Sequence, residues 1–225
     1  MNDLNIEKKQ DGKTLQERKR KKLINLDKLQ LYKAEKEGNI YYGSVIWKSI
    51  FRARMYKEGK GTLYRQQQII NFKNRGINRS YFKQVIKAIE KYFNPDLTIA
   101  LPGSSTEPTN IQKLLENYYI TRTKEVSQMK YRENKTINES EIETLKIEWD
   151  QITGNKILLR DDIITTGNTM EFYKNILRNK HEAEYICYGL GINYKLEPIL
   201  IKELELRDEE DIDIDKLLKE IGILS

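Results

Sequence analysis

The chain has 225 residues, 38% of them hydrophobic and 33% charged, with a net charge of +6, which is enough for one good-sized domain plus an extension. One cysteine, Cys187, excludes an intrachain disulfide. With His181 as the single histidine, a zinc cluster, a cysteine–histidine nucleophile pair and a Ser–His–Asp triad find no support. No apolar run approaches the roughly 18–20 residues of a membrane span, and the first residues, MNDLNIEKKQ, hold no apolar signal core. The expectation is a soluble, cytoplasmic protein without membrane contact.

The basic character belongs to the N-terminal quarter. Residues 1–60 hold twice as many lysines and arginines as acids, and the remainder is close to balance. This segment predicts a basic extension, helical or partly disordered, with ERKRKK at Glu17–Lys22. Leu23, Leu26 and Leu29 form a weak helical stripe, and Ile46, Trp47, Ile50, Phe51 and Met55 fit a buried helix face. Tyr41, Tyr42, Trp47 and Phe51 interleave with Lys48, Arg52 and Arg54. The segment therefore suits nucleic acid or an acidic protein as partner, or an ordinary solvated tail.

Residues 62–95 predict two helices joined at Asn74-Arg75-Gly76, with Ser80 as N-cap. In the second, Tyr81, Phe82, Val85, Ile86, Ile89, Tyr92 and Phe93 repeat at helical spacing and predict core. Leu97–Leu101 reads as a short strand, followed by the small-residue loop Pro102-Gly103-Ser104-Ser105 and a helix over 107–117 capped by Thr106. Tyr118–Thr121 reads as a second strand, ahead of a polar segment with Arg122, Lys124, Gln128, Lys130, Arg132 and Asn134. An amphipathic helix is expected over 139–151, and Ala183–Ile192 has the continuous apolar character of a buried parallel strand containing Cys187. Residues 201–225 are acidic and end on Leu217, Leu218, Ile221 and Ile223, which predicts a helix or a hood over a site.

The strongest signal is KILLRDDIITTGNTM, Lys156–Met170. An apolar strand leads to two adjacent carboxylates, Asp161 and Asp162. Two isoleucines follow, then Thr165-Thr166-Gly167-Asn168-Thr169 and a helical run from Met170 to Lys180. Gly167 permits a positive φ and close backbone approach to a ligand. Successive N–H groups of such a turn, together with the helix N-terminus, attract an anion. The three threonine hydroxyls donate to phosphate oxygens. The aspartates accept from vicinal ribose hydroxyls or from water on Mg²⁺. The plainer reading is a strand–turn–helix corner with a threonine cap, which leaves the paired aspartates unexplained.

This stretch resembles the phosphoribosyl pyrophosphate (PRPP) signature of type I phosphoribosyltransferases, with Arg160 standing where that family carries an apolar residue. Three further segments resemble the ComF-like branch. In QQIINFKNRG, Ile70 and Lys73 fall in matching places. ALPGSS is similar to that branch's pyrophosphate loop, and TRTKEVSQMKYREN to its R…Q…R-x-x-N segment. The resemblance spans about residues 62–200. It implies a doubly wound α/β domain over 61–200 with a mainly parallel sheet and ligands at the strands' carboxyl ends. It also implies Mg²⁺-dependent displacement of pyrophosphate from PRPP by a nitrogen nucleophile on an unidentified acceptor. Asp161 and Asp162 go with the ribose hydroxyls, and Thr165, Thr166, Gly167, Asn168 and Thr169 with the 5′-phosphate. Gly103, Ser104 and Ser105 go with pyrophosphate, and Arg122 and Arg132 with the departing charge. Arg160 and the atypical loop favour an alternative, a PRPP- or nucleotide-binding regulatory module lacking transfer activity. A nucleotide hydrolase and a homo-oligomer stay open.

Overall fold

The computed structural model describes residues 28–48, 60–115, 117–126 and 139–206. The expected helix at 217–223, the ERKRKK run and Arg132 lie outside the described residues. Gln30–Leu204 forms one compact unit, which holds the candidate site. The described residues of the other unit, at 28–29 and 205–206, include an exposed ion pair between Lys28 and Glu205 (3.7 Å).

The architecture is α/β. Among the described residues the strands are β1 (Lys28–Lys36), β2 (Asn39–Trp47), β3 (Leu97–Ala100), β4 (Ile120–Arg122), β5 (Leu145–Ile147), β6 (Lys156–Ile164), β7 (Glu184–Asn193) and β8 (Ile199–Glu205). The helices are α1 (Lys60–Arg75), α2 (Arg79–Phe93), α3 (Glu139–Ile142) and α4 (Asn168–Arg178). Six strands form one sheet in the order β3-β6-β7-β2-β1-β8. β3–β6, β6–β7 and β7–β2 run parallel, and β2–β1 antiparallel. β4 and β5 make a separate antiparallel pair. No described helix is long and apolar enough to cross a membrane.

β6 lies inside the sheet and is covered on both faces. Ile157 and Leu159 pack with Tyr173 and Leu177 of α4, beside Ile99 and Cys187. Side chains alternate along a strand, so Leu158 and Arg160 face the other side, where Arg160 meets Glu90 of α2. On that side α1 and α2 join through Phe72 and Phe82 (ring centroids 4.4 Å apart), and Phe93 packs on Tyr42 of β2 (4.7 Å). The expected helix pair is present, with Phe82, Val85, Ile86, Ile89 and Phe93 buried. Tyr92 departs from the predicted core and is 42% exposed. The N-cap of α2 is Asn78, in the left-handed region, rather than Ser80.

Several segments expected to be helical are different structures. Ile46 and Trp47, expected on a helical face, lie in strand β2, and Leu29 lies in strand β1; Ile50, Phe51 and Met55 lie outside the described residues. The two strands close on Glu37-Gly38, both at positive φ (52° and 76°), which is the geometry of a tight two-residue hairpin turn. Aromatic and β-branched side chains in NIYYGSVIW suit a strand, and pairing with β7 buries Tyr41. The expected 107–117 helix is one 3-10 turn, Gln112–Leu114. The expected 139–151 helix is α3 followed by β5 and a second 3-10 turn, because Leu145–Ile147 pairs with Ile120–Arg122. At the C-terminal segment, residues 201–205 belong to strand β8.

Candidate functional site

Sheet pairing places the acidic pair at an opening. β3 accompanies β6 as far as Ala100 opposite Arg160, and the Leu101 N–H then donates to the Arg160 carbonyl (2.8 Å). From Asp161 onward, among the described residues, β6 is paired on the β7 side alone, with Asp161 opposite Gly189 and Ile164 opposite Ile192. The loop after β3 leaves the sheet there. Asp161 and Asp162 thus stand at the carboxyl end of β3, where open parallel sheets form ligand crevices.

Asp162 faces the α1–α2 side of the sheet, where Lys73 meets it. The Asp162 N–H donates to Asp161 Oδ1 (2.7 Å). Lys73 of α1 places its Nζ 2.5 Å from Asp162 Oδ2. Burial and the neighbouring Asp162 charge push the Asp161 carboxyl up to about 8, against the N–H bond from Asp162 and the charge of Lys73. Burial pulls the Lys73 ammonium down, but the Asp162 carboxylate outweighs it and holds Lys73 above its ordinary range.

The turn after β6 is shaped by Gly167, at φ 88°. A Cβ on Gly167 would lie 2.4 Å from the Tyr41 hydroxyl, so Tyr41 of β2 supports the turn from below. That hydroxyl also donates to the Glu171 carboxylate in the first turn of α4. Burial, then this bond, raises the Tyr41 pKa. The Glu171 N–H donates to the Gly167 carbonyl (3.0 Å) and begins the helix. Asn168 and Thr169 therefore occupy the first helical positions, where backbone N–H groups lack intrahelical acceptors. Thr165 and Thr166 are exposed, and Lys36 donates to the Thr166 carbonyl (3.2 Å). A cavity of about 650 Å³ adjoins the turn, bounded by Thr165, Thr166, Lys33, Lys36, Lys195 and Leu196.

The loop after β3 is held by its carbonyls. Arg122 Nε donates to Gly103 O (2.7 Å) and the Val126 N–H to Ser104 O (2.8 Å). No described peptide is cis. In a trans peptide the N–H points opposite to its carbonyl, so the Ser104 and Ser105 N–H groups point away from those anchors. Ser105 Oγ donates to Glu107 O (3.3 Å). Arg122 itself is buried, and donates also to Thr144 Oγ1 (2.8 Å) and the Tyr173 hydroxyl (3.1 Å). Arg122, expected from the sequence as a cation near the departing charge, links the loop, β4 and α4 in the structure.

Three contributors carried no role in the sequence reading. In the sequence Lys73 stands out only through its resemblance to the ComF-like segment, and Tyr41 only through its place in the basic extension. Gln112, also buried, bridges strands by donating to Ala100 O (3.3 Å) and Ile120 O (2.8 Å). Its Oε1 accepts from the Thr109 N–H (3.0 Å). Among the described residues no cluster of three His, Cys, Asp or Glu side chains is placed to hold a metal by itself.

Fold and site together define an α/β protein with a mainly parallel six-stranded sheet. An acidic pair and a threonine–glycine turn share the carboxyl end of its β6 strand. No protein-family model matches the chain, and no curated protein matches its sequence.

Proposed function

We propose that the protein is a phosphoribosyltransferase of the type I kind, acting on PRPP and a nitrogen nucleophile. The observation that carries this reading is the sequence of groups along one strand. Asp161 and Asp162 stand where β3 ends, and the Gly167 turn opens α4 five residues further on. The turn's N–H groups and the Thr165, Thr166 and Thr169 hydroxyls take the 5′-phosphate. The aspartates accept from the ribose hydroxyls. The Ser104 and Ser105 N–H groups take pyrophosphate oxygens. The acceptor nitrogen forms a bond to the anomeric carbon as the carbon–oxygen bond to pyrophosphate breaks; pyrophosphate leaves with the electron pair and the acceptor loses a proton. Positioning and charge stabilisation supply the acceleration.

Two carboxylates, with no third acid beside them among the described residues, fit Mg²⁺ shared with substrate oxygens and water better than a protein cage. When bound, Mg²⁺ neutralises pyrophosphate charge and orients it against the ribose. The cavity beside Thr165 and Thr166 supplies room for the acceptor, with Leu196 as an apolar wall and Lys33 and Lys195 as donors.

The test is pyrophosphate release from PRPP with Mg²⁺ and a panel of nucleobases and related amines. Acceptor-dependent release is expected from the wild type and absent in Asp161→Asn/Asp162→Asn. A second reading is a PRPP-binding regulatory module, with nucleic acid or an acidic protein met by residues 1–60. It is favoured by the commitment of Arg122 to the loop backbone rather than to ligand. PRPP binding without release under any acceptor would select it.

A further inference from the structure

The geometry points to Lys73 as a catalytic residue that passes from Asp162 to the pyrophosphate of bound PRPP, an assignment that rests on the phosphoribosyltransferase reading. Lys73 belongs to the last turn of α1, just before Gly76, whose N–H donates to Phe72 O (2.8 Å) at φ 65°. Its backbone is fixed to the segment that follows the 102–105 loop, because Asn110 Nδ2 donates to the Lys73 carbonyl (2.8 Å). From that anchor the side chain reaches β6 and its ammonium meets Asp162 at 2.5 Å. Lys73 therefore joins the segment behind the pyrophosphate loop to the acid that takes a ribose hydroxyl. Among the described residues it is the one cation in ion-pair contact with the acidic pair.

The chemistry of the ligand makes this position matter. The pyrophosphate of PRPP is carried on the anomeric carbon, one carbon from the 2-hydroxyl. A cation in contact with the carboxylate that accepts a ribose hydroxyl lies within a side-chain swing of pyrophosphate. When the hydroxyls occupy the carboxylates, the ammonium exchanges a carboxylate oxygen for a phosphate oxygen. It keeps a charge-assisted hydrogen bond throughout. As the carbon–oxygen bond breaks, negative charge grows on pyrophosphate, and a cation already in place stabilises it. Arg122 is held apart from this exchange by bonds from its Nε, Nη1 and Nη2 to Gly103 O, Thr144 Oγ1 and the Tyr173 hydroxyl.

The experiment compares wild type, Lys73→Met and Lys73→Arg by calorimetry with three probes: PRPP, pyrophosphate with Mg²⁺, and ribose 5-phosphate. Losing a charged hydrogen bond predicts that Lys73→Met weakens PRPP and pyrophosphate about ten- to a hundredfold. Ribose 5-phosphate should bind within about twofold of wild type, which also shows that the variant is folded, and Lys73→Arg should recover most of the loss. Undiminished pyrophosphate affinity in Lys73→Met, or equal weakening of all three probes, overturns the assignment. Wild type that binds none of the probes overturns the phosphoribosyltransferase reading itself, and the Lys73 role with it.

Discussion

Arg160 Nη1 lies 3.8 Å from Glu90 Oε1, across the contact between β6 and α2, and the Arg160 side chain is 0% exposed. None of its three guanidinium nitrogens has a hydrogen-bond partner among the described residues. Burial pulls the Arg160 pKa down to about 10, with Glu90 pulling the other way. Arg160 and Asp162 share one face of β6, so the buried cation stands directly beneath the acid that Lys73 meets.

A buried ion pair with poor hydrogen bonding costs desolvation that its attraction does not fully return. Arg160→Leu should therefore fold with equal or greater stability. Glu90→Gln leaves the cation uncompensated and should destabilise by about 1–3 kcal/mol, below the usual cost of a fully buried pair because Glu90 is 34% exposed. Urea unfolding of the two variants checks the opposite signs.

Asp161 predicts a pH signature. Burial and the neighbouring Asp162 charge push its folded carboxyl up to about 8, against about 3.9 for an unfolded aspartate. The folded state thus holds a proton that the unfolded state releases between these values. Stability from this site is fullest below about pH 4 and declines as pH rises towards 8, by no more than about 1.4 kcal/mol per pH unit. Unfolding free energies measured from pH 5 to 8 should fall less steeply in Asp161→Asn than in wild type. Ligand hydroxyls donate more strongly to the ionised form, so PRPP affinity should rise over the same interval and level off above it.

Gly167 is constrained twice, by its φ of 88° and by the Tyr41 hydroxyl beneath it. Gly167→Ala should cost about 1–3 kcal/mol and displace the turn. Thermal melting reads the first effect. The second appears as weaker binding of ribose 5-phosphate, with pyrophosphate affinity preserved.

Arg122 holds the loop that carries Gly103 and Ser104 through bonds at 2.7 to 3.1 Å. Arg122→Met leaves those acceptors unsatisfied in a buried setting and should destabilise by about 2–4 kcal/mol. Pyrophosphate affinity should fall along with stability in this variant, because the loop loses its anchor, whereas Lys73→Met should lose affinity alone.

The parts of this architecture visible in the sequence are those specified locally. The motif strand and its turn were legible because paired aspartates, threonines and a glycine each answer to a local demand. β7 was legible because a strand covered on both faces is continuously apolar. The α1–α2 pair was legible from helical periodicity. What stayed hidden depends on distant partners. The β1–β2 hairpin reads equally well as a weak helical stripe until β7 supplies the edge for β2. Leu145–Ile147 is a strand because Ile120–Arg122 pairs with it. Gln112 spends its side chain on two strands instead of extending a helix. Lys73 shows its relation to Asp162 only once α1 is laid over the sheet.

The central claim is that the Asp161–Asp162 pair and the Thr165–Thr169 turn form a PRPP site. The most direct measurement is calorimetric titration of the full chain with PRPP in the presence of Mg²⁺, for wild type and for Asp161→Asn/Asp162→Asn of equal thermal stability. The account predicts saturable binding by the wild type and loss of at least about tenfold in affinity in the double variant. Equal affinity in the two proteins, or no binding by the wild type, would contradict it.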